Sequence, residues 1–109
     1  MKKICFEIVK WKSKAGVSDE AMINAVDDMV ADLKTCNGFI EQTLYKNKNN
    51  EWVDNYYWKG EACAHASNAY MAEKDSFSAL VALIDPESVS LEILLPVQSS
   101  VTAVSIENA

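Results

Sequence analysis

Asn37-Gly38-Phe39-Ile40, the polar run Asn47-Lys48-Asn49-Asn50, and Trp52-Val53-Asp54-Asn55-Tyr56-Tyr57-Trp58 decide between them how this chain folds. Asn-Gly after an amphipathic stretch is a left-handed helix stop, because glycine reaches positive φ at no steric cost. Residues 39–46 and 51–59 then read as two strands joined by a polar turn. The second strand packs two Trp and two Tyr into seven residues. That is more aromatic surface than a single solvent-covered sheet face uses. Both faces are therefore expected to be covered, by helices on one side and by a partner or ligand on the other.

Outward from this hairpin, residues 4–12 form a first strand. Ile4, Phe6 and Ile8 point one way; Cys5, Val9 and Trp11 point the other, with Glu7 among them. Ser18 is placed to cap a helix that carries Asp19 and Glu20 in its first turn and Met22, Val26, Met29, Val30 and Leu33 at helical spacing. After Gly60, residues 61–71 predict a helix rich in alanine. A second helical piece from Ser76 carries Phe77, Leu80, Val81 and Ile84, and Asp85-Pro86 stops it. Residues 88–97 predict a last strand, with Pro96 at its end or on a sheet edge. The chain thus divides into a domain over 1–97 and a C-terminal extension over 98–109, which is either a short strand within 101–106 or a loose tail.

The order strand, helix, strand, strand, broken helix, strand predicts an α+β fold, a ferredoxin-like split β-α-β sandwich with both helical regions on one sheet face. The other face also carries apolar residues. Left bare, it would be a larger apolar patch than a soluble monomer tolerates, so a twofold homodimer joined sheet to sheet is expected.

Composition narrows the function. The 109 residues carry a formal charge of −6, and all ten basic residues are lysines. Without arginine, and with a negative total, nucleic-acid binding is not expected. Cys5, Cys36 and Cys63 are odd in number and lie within regular elements, which suits buried thiols in a reducing compartment rather than a disulfide framework. No apolar run follows Met1-Lys2-Lys3, and none elsewhere is long enough to cross a membrane. A cytoplasmic protein with no membrane partner is expected. Only three glycines are present, at 16, 38 and 60, so no phosphate-cradling loop is available, and no serine sits in a nucleophile elbow.

Asn37-Gly38-Phe39, then Trp52-Val53-Asp54 with Trp58, then the alanine-rich helix and Phe77, resemble the small dimeric α+β barrel proteins, among them the antibiotic-biosynthesis monooxygenases and their uncharacterised relatives. The resemblance covers residues 3–97. It implies a barrel built from two four-stranded sheets, helices outside, and a pocket between each protomer's helices and its sheet. The activities it implies include oxygenation of aromatic polyketides and quinol-like substrates without a bound cofactor, and haem degradation. The haem-degrading branch combines an Asn on the first strand with a Trp and a late iron-binding His in the second helical region. Here the first strand carries Glu7, residues 61–71 hold no Trp, and His65 comes early, so no haem is expected. One histidine and no tight cysteine or carboxylate cluster leave too few ligands for another metal.

His65, the only histidine, is the one side chain whose ordinary pKa lies near neutrality. It shares a helical stripe with Ala62, Ala69 and, one position round, Ala66, the stripe expected to face the sheet. There it would serve as the catalytic base toward a phenolic substrate; otherwise it is a half-buried histidine closing the helix onto the sheet. Trp11, Tyr56, Trp58 and Tyr70 are the candidate substrate-binding residues. They would line a flat apolar cavity and offer N–H and O–H groups to a small aromatic or hydrophobic molecule, or else they are packing residues of the core and dimer interface. Asp54, a carboxylate in an aromatic strand, suits a structural pairing with Lys12, Lys59 or a partner strand, or a role orienting His65. The expected function is binding of a small aromatic or hydrophobic molecule, with monooxygenation and no cofactor as the chemistry. The alternative is a non-catalytic ligand-binding or assembly module.

Overall fold

The computed structural model describes residues 4–100. The strand anticipated within 101–106 lies outside the described residues. Strand β1 (Cys5–Trp11) is followed by α1 (Asp19–Leu33), the hairpin β2 (Phe39–Lys46) and β3 (Trp52–Trp58), then α2 (Glu61–Ala72), α3 (Asp75–Val81) and β4 (Ser90–Leu94). The sheet runs β2-β3-β1-β4, antiparallel throughout. This is the ferredoxin-like arrangement, with the helices on one face. Among the described residues no helix is long and apolar enough to cross a membrane.

Local chemistry sets the boundaries. Ser18 is extended (φ −78°, ψ 159°) and its side chain accepts the Ala21 N–H, so α1 begins at Asp19. Met22, Val26, Met29 and Leu33 form its buried stripe. Gly38 has φ +86°, and a Cβ there would lie 2.4 Å from Cys63 Sγ. The position therefore needs glycine twice over, for its backbone angle and for the close approach of α2. In the hairpin turn, Asn47 Oδ1 accepts the backbone N–H groups of Asn49 and Glu51, and Asn50 takes a positive φ of 62°. Strand β4 is shorter than residues 88–97 promised. Pro86–Ser88 form a turn of 3₁₀ helix instead, capped by the Asp85 side chain on the Glu87 N–H at 3.1 Å.

Strand parity decides what each face sees. Along β3, Trp52, Asp54, Tyr56 and Trp58 are buried beneath the helices, beside Cys5, Glu7 and Trp11 of β1. Val53, Asn55 and Tyr57 lie on the opposite face, opposite Lys10, Ile8 and Phe6 respectively. The rotation of α2 differs from expectation. Its buried residues are Ala64, Ser67 and Met71, not a stripe through Ala62, His65 and Ala69. Alanine is small on every side of this helix, so the sequence carries little contrast to fix which face turns inward. Met71, the one long apolar residue near its end, makes that choice.

Candidate functional site

A cavity of about 280 Å³ separates the helices from the sheet. Its floor is Glu7, Val9 and Trp11 of β1 with Tyr56 and Trp58 of β3. Met29 and Leu33 wall it from α1, and Ser67 and Met71 from α2. Phe77, Val81, Val89 and Leu91, all partly exposed, form an apolar mouth between α3 and β4. The lining is mainly hydrocarbon and aromatic ring with few polar groups, the usual make-up of a small-molecule pocket.

Those polar groups are mostly committed already. Trp58 Nε1 donates to Glu7 Oε1 at 2.9 Å across the β1–β3 pair. Tyr56 donates its hydroxyl to Asp54 Oδ2, and Gln42 Nε2 donates to Asp54 Oδ1 at 2.6 Å. The Ser67 hydroxyl is spent on the Ala64 carbonyl at 2.6 Å. Asp54 is therefore held by Gln42 and Tyr56, neither of them among the partners expected from sequence. Burial raises the Glu7 carboxyl above its ordinary range, opposed by the Trp58 hydrogen bond and the charge of His65. Burial likewise pushes Asp54 from 3.8 up to about 6, against its two hydrogen bonds. The Tyr56 hydroxyl is raised well above its ordinary value by burial and by the neighbouring Asp54 carboxylate. Two buried carboxyls under one cavity, one facing it and one holding Tyr56, are the electrostatic signature of this site.

Of the residues singled out from sequence, Trp11, Tyr56 and Trp58 come together on the cavity floor. Tyr70 does not line it. Its hydroxyl bonds Thr35 Oγ1, and the Lys74 ammonium stands 4.7 Å above its ring, so it ties α2 to the end of α1. His65 is also outside the cavity. Its side chain is 60% exposed and pairs with Glu61 one turn earlier, Nε2 to Oε2 at 3.3 Å. The rotation of α2 described above is the cause. Sequence reasoning passed over Glu7 as a site residue. The signal was present: a carboxylate sharing the inward parity of Cys5 and Trp11 in the middle of an apolar strand. Among the described residues no three His, Cys, Asp or Glu side chains converge to hold a metal ion.

No protein-family profile and no curated protein sequence matches this chain. Solved structures do resemble it in shape. SnoaB, a cofactor-independent oxygenase from Streptomyces nogalater, superposes with a TM-score of 0.70 at 13% identity, over 90% of this chain and 97% of that one. A candidate antibiotic biosynthesis monooxygenase from Chloroflexus aurantiacus gives 0.68 at 14% identity, over 88% and 95%. One from Nitrosomonas europaea gives 0.68 at 14%, over 89% and 93%. At such low identity it is the fold that is shared: this chain has the α+β fold of the antibiotic-biosynthesis-monooxygenase-like proteins, over nearly its whole described length.

Proposed function

We propose that this protein binds a small, mainly apolar aromatic molecule between its helices and its sheet, as a homodimer, and oxygenates it without a bound cofactor. The observation that carries this reading is the apolar cavity whose floor presents one carboxyl, Glu7, with a raised pKa. A carboxylate of raised pKa in a dry site is a better base toward a weakly acidic hydroxyl than one in water. The substrate suited to it is a phenol or enol in conjugation with a ring CH₂. Glu7 takes the hydroxyl proton, and the electron-rich carbon of the resulting anion adds dioxygen. The peroxide recovers the proton from Glu7 and loses water, leaving a carbonyl. One oxygen atom ends in the product and the other in water, so no external reductant is used. Tyr56, Trp58 and Trp11 hold the ring system and keep water out. In this scheme the proton-accepting role read from the sequence for His65 passes to Glu7, because His65 stands outside the cavity. The kinship of fold with SnoaB, described as a cofactor-independent oxygenase, supports the chemistry.

Oxygen uptake against naphthols, anthrones and quinols tests this proposal. Glu7→Gln is expected to lower turnover by ~10²-fold, the scale for removing a positioned proton-transfer group. His65→Ala is expected to leave it within about twofold. Loss of activity in His65→Ala would return the role to the histidine. No uptake with any substrate would favour the other reading, a non-catalytic binding module. That reading draws on the number of polar groups here that are already satisfied within the protein.

A further inference from the structure

We infer that the occupant of the cavity is a neutral aromatic molecule that donates a hydroxyl to Glu7 and, further along its length, accepts a hydrogen bond from the Trp11 indole N–H. The inference rests on reading the cavity as a small-molecule site and specifies what that site selects. Trp11 is only 2% exposed and lines the cavity, yet its Nε1–H is buried without any hydrogen-bond partner. An indole N–H is a donor only, and leaving it unpaired in the interior is costly. The other two tryptophans show the usual solution, since Trp52 donates to Ser13 Oγ at 2.9 Å and Trp58 to Glu7. Trp11 alone lacks an acceptor.

Glu7 has the complementary deficit. It is 6% exposed and receives one hydrogen bond, at Oε1; its second oxygen has no partner among the described residues. Tyr56 and Ser67, the other hydroxyls on the lining, already donate elsewhere. Apart from the amide of Asn68, which is exposed, the lining thus offers one unpaired donor and one unpaired acceptor in an apolar setting. Glu7 and Trp11 lie four residues apart on the same face of one strand, about 13 Å along its backbone. A ligand meets them at two separate points, as an elongated molecule of two fused rings would. No lysine or histidine lines the cavity, so a carboxylate or phosphate would face Glu7 without a counter-charge. A neutral hydroxyl at one end and a carbonyl toward the other satisfy both deficits.

A matched set of naphthalenes tests this on the full chain: an acetyl-naphthol with its two groups at opposite ends of the rings, its methyl ether, the analogue with ethyl in place of acetyl, the compound lacking both polar groups, and an aminomethyl analogue. Calorimetric titration is expected to show about a tenfold loss of affinity on methylating the hydroxyl, and a similar loss on replacing acetyl by ethyl. In Glu7→Gln the amide oxygen keeps the bond from Trp58 and turns NH₂ toward the cavity, so the hydroxyl preference is expected to vanish while the acetyl preference remains. In Trp11→Phe the reverse is expected. Should either variant fail to fold, judged by its urea transition, the wild-type series still decides. Equal binding of all the neutral compounds would overturn the inference while leaving the cavity reading intact. Tighter binding of the aminomethyl analogue would overturn it in favour of a cationic ligand. No binding with Kd below about 1 mM for any compound would overturn both.

Discussion

Asp54 is fully buried in the sheet core, and its ionisation works against the fold. Its carboxyl rises to about 6 because burial outweighs the hydrogen bonds from Tyr56 and Gln42. The folded protein binds that proton more tightly than the unfolded chain does. The associated stability is fully present below about pH 4 and is lost as pH rises through about 6, the reverse of the usual carboxylate pattern. At roughly 1.4 kcal/mol per pKa unit the loss is about 3 kcal/mol. Urea unfolding of wild type and Asp54→Asn across pH 4 to 7 should therefore show wild type losing about 2–3 kcal/mol relative to the variant. Parallel pH profiles would mean that Asp54 ionises in the core without penalty. Glu7 shifts in the same direction and is present in both proteins, and its charge is the smallest of the causes that move Asp54, so the difference reports mainly Asp54. At this scale the sequence was legible where side-chain type and strand parity agreed. Trp11, Tyr56 and Trp58 are large and sit at alternating strand positions, but which face those positions serve is decided by the β1–β3 register, which sets them on the cavity floor. Glu7 obeyed the same parity but was not weighed as a site residue, because an isolated carboxylate in a strand ordinarily marks a solvated face. Nothing in the sequence could show that its neighbours would leave one of its oxygens unpaired.

Element boundaries were legible to within a residue or two at Ser18 and at the asparagine-rich turn. The helix ends were less so, since α1 ends at Leu33, short of the stop expected at Asn37-Gly38, and α3 ends at Val81, short of Asp85-Pro86. The rotation of an element was legible only where apolar contrast was strong. Helix α1 shows its stripe plainly, and its last inward residue, Leu33, is both core and cavity wall. Leu33→Ala should cost roughly 2–4 kcal/mol, read from the urea midpoint, because the space it vacates adds to an existing void rather than collapsing. An unchanged midpoint would mean that α1 meets the sheet through another face. Helix α2 has no such stripe, and the expected placement of His65 failed with its rotation. Besides the buried Met71, what positions α2 is the junction at Gly38, where the backbone meets Cys63 and the Gly38 carbonyl accepts the Lys59 N–H at 2.8 Å. Gly38→Ala strains a positive φ, at about 1–2 kcal/mol, and drives a methyl group into Cys63 as well. A loss of more than about 2 kcal/mol is expected, and Gly16→Ala, with the same sign of φ but open space around it, should lose less. Equal losses at the two glycines would show that the contact with α2 carries no weight.

Across the whole molecule, the sheet face turned away from the helices remains to be accounted for. Phe6 and Tyr57 pack there with ring centroids 4.8 Å apart, beside Ile8 and Val53, and Tyr45 and Leu94 are largely exposed. At the centre of this face Asn55 lies opposite Ile8, and its Oδ1 is buried without a hydrogen-bond partner. An apolar surface surrounding one unsatisfied acceptor is poorly suited to water and well suited to a second sheet that brings a donor. Twofold symmetry makes such a contact self-complementary, since each copy offers the same patch to the other. The homodimer we propose should therefore sediment at micromolar concentration with a mass near twice 12.1 kDa. Ile8→Lys places a charge in the middle of the face, where two copies would set like charges together and desolvate them, so this variant should sediment as a monomer. The substitution lies on the side of β1 remote from the cavity, so a folded monomer that still binds the acetyl-naphthol would separate assembly from ligand binding. Wild type sedimenting as a monomer at the same concentration would sink the dimer, and would mean that the open face with its buried Asn55 oxygen is stable against water alone.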